Sequence, residues 1–136
     1  MNDDSAPTRP VVLPAPPETA GASALGSSLA IGNWPAQGSG EVAPLHVHHA
    51  DDEAWYVVSG ALRFRLAGGE VLIAQAGQTL LVPAGVPHTF GNAGSQPSRF
   101  LIIITARLEE MISRLHEVDR SQHAAVYREY QSELLE

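Results

Sequence analysis

Cysteine is absent from the sequence. Disulfide bonds and thiolate metal ligands are therefore excluded, and any bound metal must be held by histidine and carboxylate side chains. A chain without cysteine also fits a reducing compartment, which makes the cytoplasm the expected location.

Positive charge is also scarce. Lys and Arg together number 8 against 15 Asp and Glu, the formal net charge is −7 at pH 7, and no block of basic residues occurs. Nucleic acids and anionic membrane surfaces bind clustered positive charge. Because no helix-turn-helix module is evident either, a DNA-binding regulator is not expected.

Long apolar runs are missing as well. No run approaches the ~20 residues that a membrane-spanning helix needs. The acidic start at residues 1–4 lacks the apolar segment of a signal peptide. These features predict a soluble cytoplasmic protein with no nucleic-acid or membrane partner.

The overall composition is typical of one globular domain. Of 136 residues, 44% are hydrophobic and 17% are charged. Many of the 12 glycines and 10 prolines lie between short apolar runs, where they predict turns. In residues 61–67, Leu62, Phe64 and Leu66 alternate with Arg63 and Arg65, which indicates a strand with the arginines on its exposed face.

Short strands that recur every ~8–12 residues predict an all-β sandwich or barrel. The predicted strands cover residues 27–34, 45–48, 54–59, 61–67, 70–74, 79–82, 88–90 and 99–105. They place the β domain at residues 21–105.

The two ends of the chain differ from this pattern. Residues 1–20 contain five prolines and predict an extended strap or a partly disordered tail, with residues 11–13 as a candidate edge strand. Residues 106–136 predict amphipathic helices at 108–115 and 121–135, which would cover the β domain or a partner subunit.

Two motifs carry the candidate chemistry. On a strand, His46 and His48 point to the same face, and Glu53 opens the next apolar run. Two neutral imidazoles and a carboxylate that converge suit a divalent transition metal. Further along the chain, a Pro-x-Gly turn at Pro83 and Gly85 precedes His88, which offers a fourth ligand.

The spacing of these residues resembles the two motifs of the cupin superfamily. The first, G-x5-H-x-H-x4-E-x6-G, is met without insertion or deletion by Gly40, His46, His48, Glu53 and Gly60. The second, G-x5-P-x-G-x2-H-x3-N, is met by Gly77, Pro83, Gly85, His88 and Asn92. Residues 27–105 carry the resemblance, which extends more loosely into the tail as in single-domain cupins similar to quercetin dioxygenase.

This resemblance implies a cupin-type jelly-roll β-barrel, also called a double-stranded β-helix, with a C-terminal α-helical tail. It implies one divalent transition metal on His46, His48, Glu53 and His88, with iron, nickel, manganese, copper and zinc left open. It also implies a homodimer. In quercetin-dioxygenase-like cupins the matching glutamate is both ligand and base, which makes Glu53 the candidate catalytic residue.

Three apolar residues share strand parity with the ligands. Trp55 and Val57 follow Glu53 at even spacing, and Phe90 follows His88. They are candidates for a substrate pocket beside the metal, and plain core packing is the competing interpretation of each.

The other polar residues near the motifs are interpreted as structural. His49 should face away from His48, while Asp51 and Asp52 cap or solvate their loop, with Asp52 as a candidate support for a ligand histidine. His116 and His123 lie on the predicted helices and are interpreted as surface residues.

Three functions follow as hypotheses. The first is a metal-dependent dioxygenase that acts on a small phenolic or enolisable organic substrate, with Glu53 as base. The second is a non-oxidative metal-dependent isomerase, lyase or cyclase, in which the metal acts as a Lewis acid. The third is a small-molecule-binding cupin without catalysis. The fold alone does not choose among them.

Overall fold

The computed structural model describes residues 21–36 and 38–136. The strands within them are β1 (Ala22–Leu25), β2 (Leu29–Ala36), β3 (His46–His48), β4 (Glu53–Ser59), β5 (Ala61–Leu66), β6 (Val71–Gln75), β7 (Thr79–Val82), β8 (His88–Asn92), β9 (Ser98–Thr105) and β10 (Ser132–Leu134). The α-helices are α1 (Ala106–Leu115) and α2 (His123–Glu129), and short 3-10 turns occupy Ala67–Gly69 and Arg120–Gln122.

The strands form two antiparallel sheets of five strands each. One sheet has the order β1-β2-β9-β4-β7 and the other the order β10-β3-β8-β5-β6. The predicted all-β class with a short helical tail is therefore confirmed. Successive strands often lie in different sheets, so residues that are distant in the sequence meet between them.

Aromatic side chains join the two sheets. Trp55 of one sheet contacts Phe64 of the other with ring centroids 4.9 Å apart, and Phe90 contacts Phe100 at 5.5 Å. These four side chains are buried. Burial of each large apolar side chain stabilises the fold by about 1.5–3 kcal/mol, so this aromatic layer holds the sheets in a fixed position around the candidate ligands.

The predicted alternation along β5 is confirmed. Leu62 and Phe64 are fully buried, while Arg63 and Arg65 remain partly exposed on the opposite face. The turn to β6 is made at Gly68 and Gly69, both of which have positive φ values, as the glycine pair predicts.

Helix α1 begins directly after β9 and packs on the β domain. The side-chain oxygen of Thr105 accepts a hydrogen bond of 3.2 Å from the backbone N–H of Leu108, which satisfies one free donor of the first turn. Leu108 and Met111 point into the hydrophobic core. The helix predicted at residues 108–115 is therefore present, and it begins two residues earlier.

The second predicted helix is wrong at its C-terminal end. Helix α2 stops at Glu129, Gln131 has a φ of 54°, and the chain then forms β10. This strand pairs with β3, with Ser132 opposite His48 and Leu134 opposite His46. The residues of this segment are good helix formers, but pairing with the open edge of β3 outweighs that local preference.

Two differences concern the N-terminal part of the chain. The structure has β1 before a turn at Ser27 and Ser28, where the sequence predicted one strand over residues 27–34. The predicted strap at residues 1–20, with its edge strand at 11–13, lies outside the described residues. In the part of the chain that the structure describes, no helix has the length and apolar character needed to cross a membrane.

Candidate metal centre

The four predicted ligands meet at one buried point. His46 and His48 lie on β3, Glu53 begins β4 and His88 begins β8, where it pairs across the sheet with His46. One ligand atom from each side chain lies within 4.8 Å of the others. The four residues form a His3Glu group, and each is at most 7% exposed.

The turn before His88 fixes its position. Gly85 has a φ of 89°, a conformation that favours glycine, and its N–H donates to the carbonyl of His48 over 2.8 Å. The Pro-x-Gly motif therefore attaches the start of β8 to the end of β3. This hydrogen bond explains why two motifs separated in sequence deliver their histidines to one place.

Backbone carbonyls orient two of the imidazoles. The Nδ1 atom of His46 lies 2.8 Å from the carbonyl oxygen of Pro44, and that of His88 lies 2.9 Å from the carbonyl oxygen of Val86. A carbonyl oxygen can only accept, so both Nδ1 atoms carry the proton. In the neutral ring, the Nε2 lone pair is then free for a ligand.

A hydroxyl orients the third imidazole. The Nδ1 atom of His48 lies 2.7 Å from the Ser132 hydroxyl, which donates its own proton to the carbonyl of Tyr130 over 3.1 Å. Because that proton is committed to Tyr130, the Ser132 oxygen accepts from His48 Nδ1–H. Nδ1 therefore carries a proton in all three histidines, which leaves each Nε2 as the atom that can bind a metal once it is deprotonated.

Glu53 completes the donor set. Its Oε1 atom lies 2.7 Å from Nε2 of His88 and 3.2 Å from Nε2 of His48. A carboxylate oxygen and two imidazole lone pairs repel one another at these distances unless a proton or a cation lies between them. The group therefore fits one divalent transition metal, for which imidazole nitrogen and carboxylate oxygen are suitable ligands.

The local electrostatics agree with this interpretation. Burial, together with the neighbouring charges of His48 and His88, lowers the pKa of His46 to about 4, so this imidazole is neutral at pH 7. Burial alone would raise the pKa of Glu53, but hydrogen bonds from His48 and His88 lower it to about 2. The carboxylate is therefore ionised and available as a ligand.

Glu53 also affects the pKa of His88. Burial alone would lower its pKa, but the hydrogen bond and negative charge of Glu53 raise it. A metal ion that binds Nε2 of His88 displaces any proton there, so metal binding is coupled to proton release.

The His3Glu group lines a cavity of about 290 Å³, which we call the metal cavity. Its walls are mainly apolar, and helix α1 contributes Leu108, Met111, Ile112 and Leu115 to them. Helix α1 therefore closes part of the space beside the ligands.

The structure separates the three predicted pocket residues. Trp55 and Phe90 line the metal cavity. Val57 does not line it: its side chain is fully buried in the hydrophobic core, as the core-packing interpretation predicted. Val57 lies four residues beyond Glu53 on β4, roughly 13 Å along a strand, which is too far to reach the ligands.

The acidic loop residues have structural contacts. Asp51 is buried, accepts a hydrogen bond from the Thr105 hydroxyl over 2.9 Å and pairs with Arg107 at 3.1 Å. Asp52 is exposed and accepts from the backbone N–H of Ala84 over 2.8 Å, so it supports the Pro83 turn. Both contacts fit the structural interpretation of this loop.

The remaining histidines lie outside the ligand group. His49 is exposed and lies 3.3 Å from Glu133 at the surface. The Nε2–H of His123 donates to the carbonyl of Leu115 over 2.9 Å, which joins α2 to the end of α1. His116 is exposed as predicted, but it also lines the metal cavity, a location that the sequence did not indicate.

Two contributors to the centre were missed by the sequence analysis. Ser132 orients His48 from the opposite end of the chain. Tyr127 lies within the helix predicted at residues 121–135, yet its ring lies 5.6 Å from that of His46 and stacks on His48 at 6.3 Å. Burial and the charge of Glu53 raise the pKa of Tyr127 to about 12, so its phenol stays protonated.

Comparison with known families decides the assignment. The family model described as a cupin domain matches residues 37–104, which is half of the 136 residues. The chain belongs to the cupin superfamily. No curated protein matches this cupin in sequence.

Solved structures confirm the cupin jelly roll. A protein from Bacillus halodurans is 18% identical, with a TM-score of 0.62 over 74% of this chain and 84% of that one. A protein with a double-stranded β-helix domain from Klebsiella pneumoniae is 23% identical, with a TM-score of 0.57 over 78% of this chain and 90% of that one.

A third match has a function in its name. It is a sugar phosphate isomerase of the cupin superfamily from Silicibacter pomeroyi, with 26% identity and a TM-score of 0.53. The aligned part is 59% of this cupin and 52% of the isomerase, so this chain spans about half the length of that protein.

Proposed function

We propose that this cupin is a metal-dependent dioxygenase that acts on a small phenolic or enolisable organic compound. The observation that carries the proposal is the His3Glu group, with its three Nε2 lone pairs and one carboxylate, on the wall of a mainly apolar cavity. The choice of oxygen chemistry rests on the resemblance to quercetin-dioxygenase-like cupins. We further propose that the protein works in the cytoplasm as a homodimer, as the family resemblance implies.

In this proposal the chain's own residues hold and deprotonate the substrate. A bound redox-active metal would supply a Lewis acid for the substrate oxygen and electron exchange with dioxygen. Glu53 accepts the substrate proton at its carboxylate, which is ionised at pH 7. Trp55 and Phe90 pack on the apolar part of the substrate, and α1 limits the access of water.

Covalent catalysis through an amine has no support in this chain. All eight basic residues are arginine, so no lysine is available for Schiff-base formation with a carbonyl substrate. Activation of the substrate therefore depends on the His3Glu group and on a metal held there.

A non-oxidative isomerase is the second candidate, since the Silicibacter pomeroyi protein is named as a sugar phosphate isomerase. One observation weighs against a phosphorylated sugar as substrate. Among the described residues that line the metal cavity, none is lysine or arginine. The apolar walls instead favour an aromatic or aliphatic substrate.

Metal content is the first test. Protein purified without added metal should contain close to one equivalent per chain, and fewer than about 0.1 equivalents would contradict both enzymatic functions. Metal-free protein is then loaded separately with iron, nickel, manganese, copper or zinc. Each form is tested with phenolic and enolisable compounds in an oxygen electrode.

The dioxygenase predicts oxygen consumption with a redox-active ion, none with zinc and no turnover under anaerobic conditions. Turnover by the zinc form without oxygen would instead establish the isomerase, lyase or cyclase. The metal-loaded Glu53→Gln variant distinguishes the two enzymatic functions from a binding protein. It should lose turnover in an enzyme, whereas in a binding protein only ligand affinity would change.

A further inference from the structure

A second cavity adjoins the metal cavity. It has a volume of about 500 Å³, and we call it the outer cavity. Five residues line both cavities: Val42, Ala43, Leu115, His116 and Tyr127. Tyr127, whose ring contacts His46 and His48, therefore stands between the metal ligands and the outer cavity. A ligand that spans the two cavities would extend past this residue.

The outer cavity differs from the metal cavity in charge. Arg120, His116 and His123 line it, and the guanidinium of Arg120 forms no hydrogen bond or ion pair with any residue that the structure describes. In contrast, several other arginines are already paired with carboxylates: Arg63, Arg65, Arg107 and Arg114. The chain has a net charge of −7, so this unpaired guanidinium at a concave surface gives the outer cavity a local positive charge that the metal cavity lacks.

The other polar groups of the outer cavity leave Arg120 free for a ligand. His123 donates Nε2–H to the carbonyl of Leu115, and no described residue forms a hydrogen bond with its Nδ1. Glu41, the acidic residue among the described lining residues, accepts two hydrogen bonds from Arg65 at 2.7 and 2.9 Å. Its negative charge is therefore already compensated, and it does not compete for Arg120.

We propose that the outer cavity is an anion subsite in which Arg120, with His116, binds the carboxylate of the substrate. The substrate would be an amphipathic monoanion: an oxygen at the His3Glu group, an apolar body in the metal cavity and a carboxylate at Arg120. One permanently charged guanidinium, whose two parallel donors match a carboxylate, fits a monoanion better than a phosphate dianion. This inference rests on the proposed function and specifies its substrate class.

Binding of a matched pair of compounds tests the subsite without any need for turnover. The probes are 3-(4-hydroxyphenyl)propanoate and its neutral amide, 3-(4-hydroxyphenyl)propanamide, titrated calorimetrically into the cobalt(II)-loaded protein. Both carry a phenol oxygen for the metal, and only one carries a distant carboxylate. The acid should bind about tenfold more tightly than the amide, as expected for one charge-assisted contact.

Variants assign that difference to Arg120. The acid-to-amide affinity ratio should fall to about one in Arg120→Gln and remain near tenfold in Arg128→Gln, which removes an exposed arginine of α2 outside both cavities. Equal affinities in the unmodified protein, or the same loss in both variants, would overturn the subsite. If the subsite is overturned but the amide still binds, the proposed function stands. Failure to bind metal or either compound overturns both the subsite and the proposed function.

Discussion

Ser132 and His48 are 84 residues apart in sequence and 2.7 Å apart in space. Their hydrogen bond fixes the tautomer of a candidate metal ligand from the last strand of the chain. Removal of such a contact leaves the ligand ring free to rotate or to change tautomer. The first prediction concerns this bond.

Ser132→Ala should weaken metal binding by roughly ten- to hundred-fold, because His48 loses the acceptor that holds its Nε2 lone pair towards the site. Metal affinity is measured by competition with a chromogenic chelator. Ser113→Ala, which changes an exposed serine of α1, is the control and should bind metal like the unmodified protein. Equal affinities in the two variants would contradict a role for Ser132 in orientation.

Metal removal provides the second prediction. With free metal at 1,000 times the dissociation constant, the free energy of unfolding should increase by about 4 kcal/mol over the metal-free protein. His88→Ala should abolish this increase, because it removes one of the four ligands. His49→Ala, which changes the exposed histidine next to His48, should retain it.

The measurement is thermal or urea unfolding with and without metal, together with metal content after dialysis. If added metal stabilises His88→Ala as much as it stabilises the unmodified protein, the metal binds elsewhere.

Adjacent valines of β4 provide the third prediction. Val57→Ala should cost about 2 kcal/mol of stability, since two buried methyl groups are lost from the core. Val58 is 40% exposed, so Val58→Ala should cost less than about 1 kcal/mol. Both variants should keep the metal affinity of the unmodified protein. Urea unfolding checks stability, and a selective loss of metal affinity in Val57→Ala would place this residue at the site after all.

The fourth prediction concerns pH. Arg65 donates two hydrogen bonds to Glu41 and two to Glu136, and the backbone N–H of Leu45 also donates to Glu136. These bonds lower the pKa of Glu41 and bring that of Glu136 to about 2. Because both values are lower than in the unfolded chain, this contribution to stability is complete above about pH 4.5 and declines as the pH falls towards 2.

Arg65→Met removes the cause of both shifts. The stability difference between Arg65→Met and the unmodified protein should therefore be largest above pH 5 and should shrink steadily below it. Urea unfolding at a series of pH values from 2 to 7 measures that difference. A difference that stays constant across this range would show that Arg65 acts through packing rather than through charge.

The four candidate ligands could be predicted from sequence because their positions follow local rules. The two-residue period of a strand places His46 and His48 on one face, and a glycine with positive φ fixes the turn before His88. The alternation of Leu62, Phe64 and the intervening arginines identifies the core face of β5 in the same way. Each of these signals is contained within a few consecutive residues.

The missed features depend on contacts across the whole chain. Nothing local distinguishes residues 132–134 from a helix, because their conformation is decided by the free edge of β3 and by the left-handed Gln131. The role of Ser132 follows from that pairing, so the local sequence did not indicate it either. Strand parity placed Val57 on the same face as Glu53, but parity carries no information about distance along the strand from the metal ligands.

The pairing of β10 with β3 also sets an order of events during protein synthesis. Chains are synthesised with the N-terminal end first, so all four candidate ligands are added to the chain before Ser132. Until residues 132–134 arrive, His48 lacks its hydroxyl partner and β3 has an unpaired edge. A metal ion that meets the chain before this pairing forms would therefore meet an incomplete site.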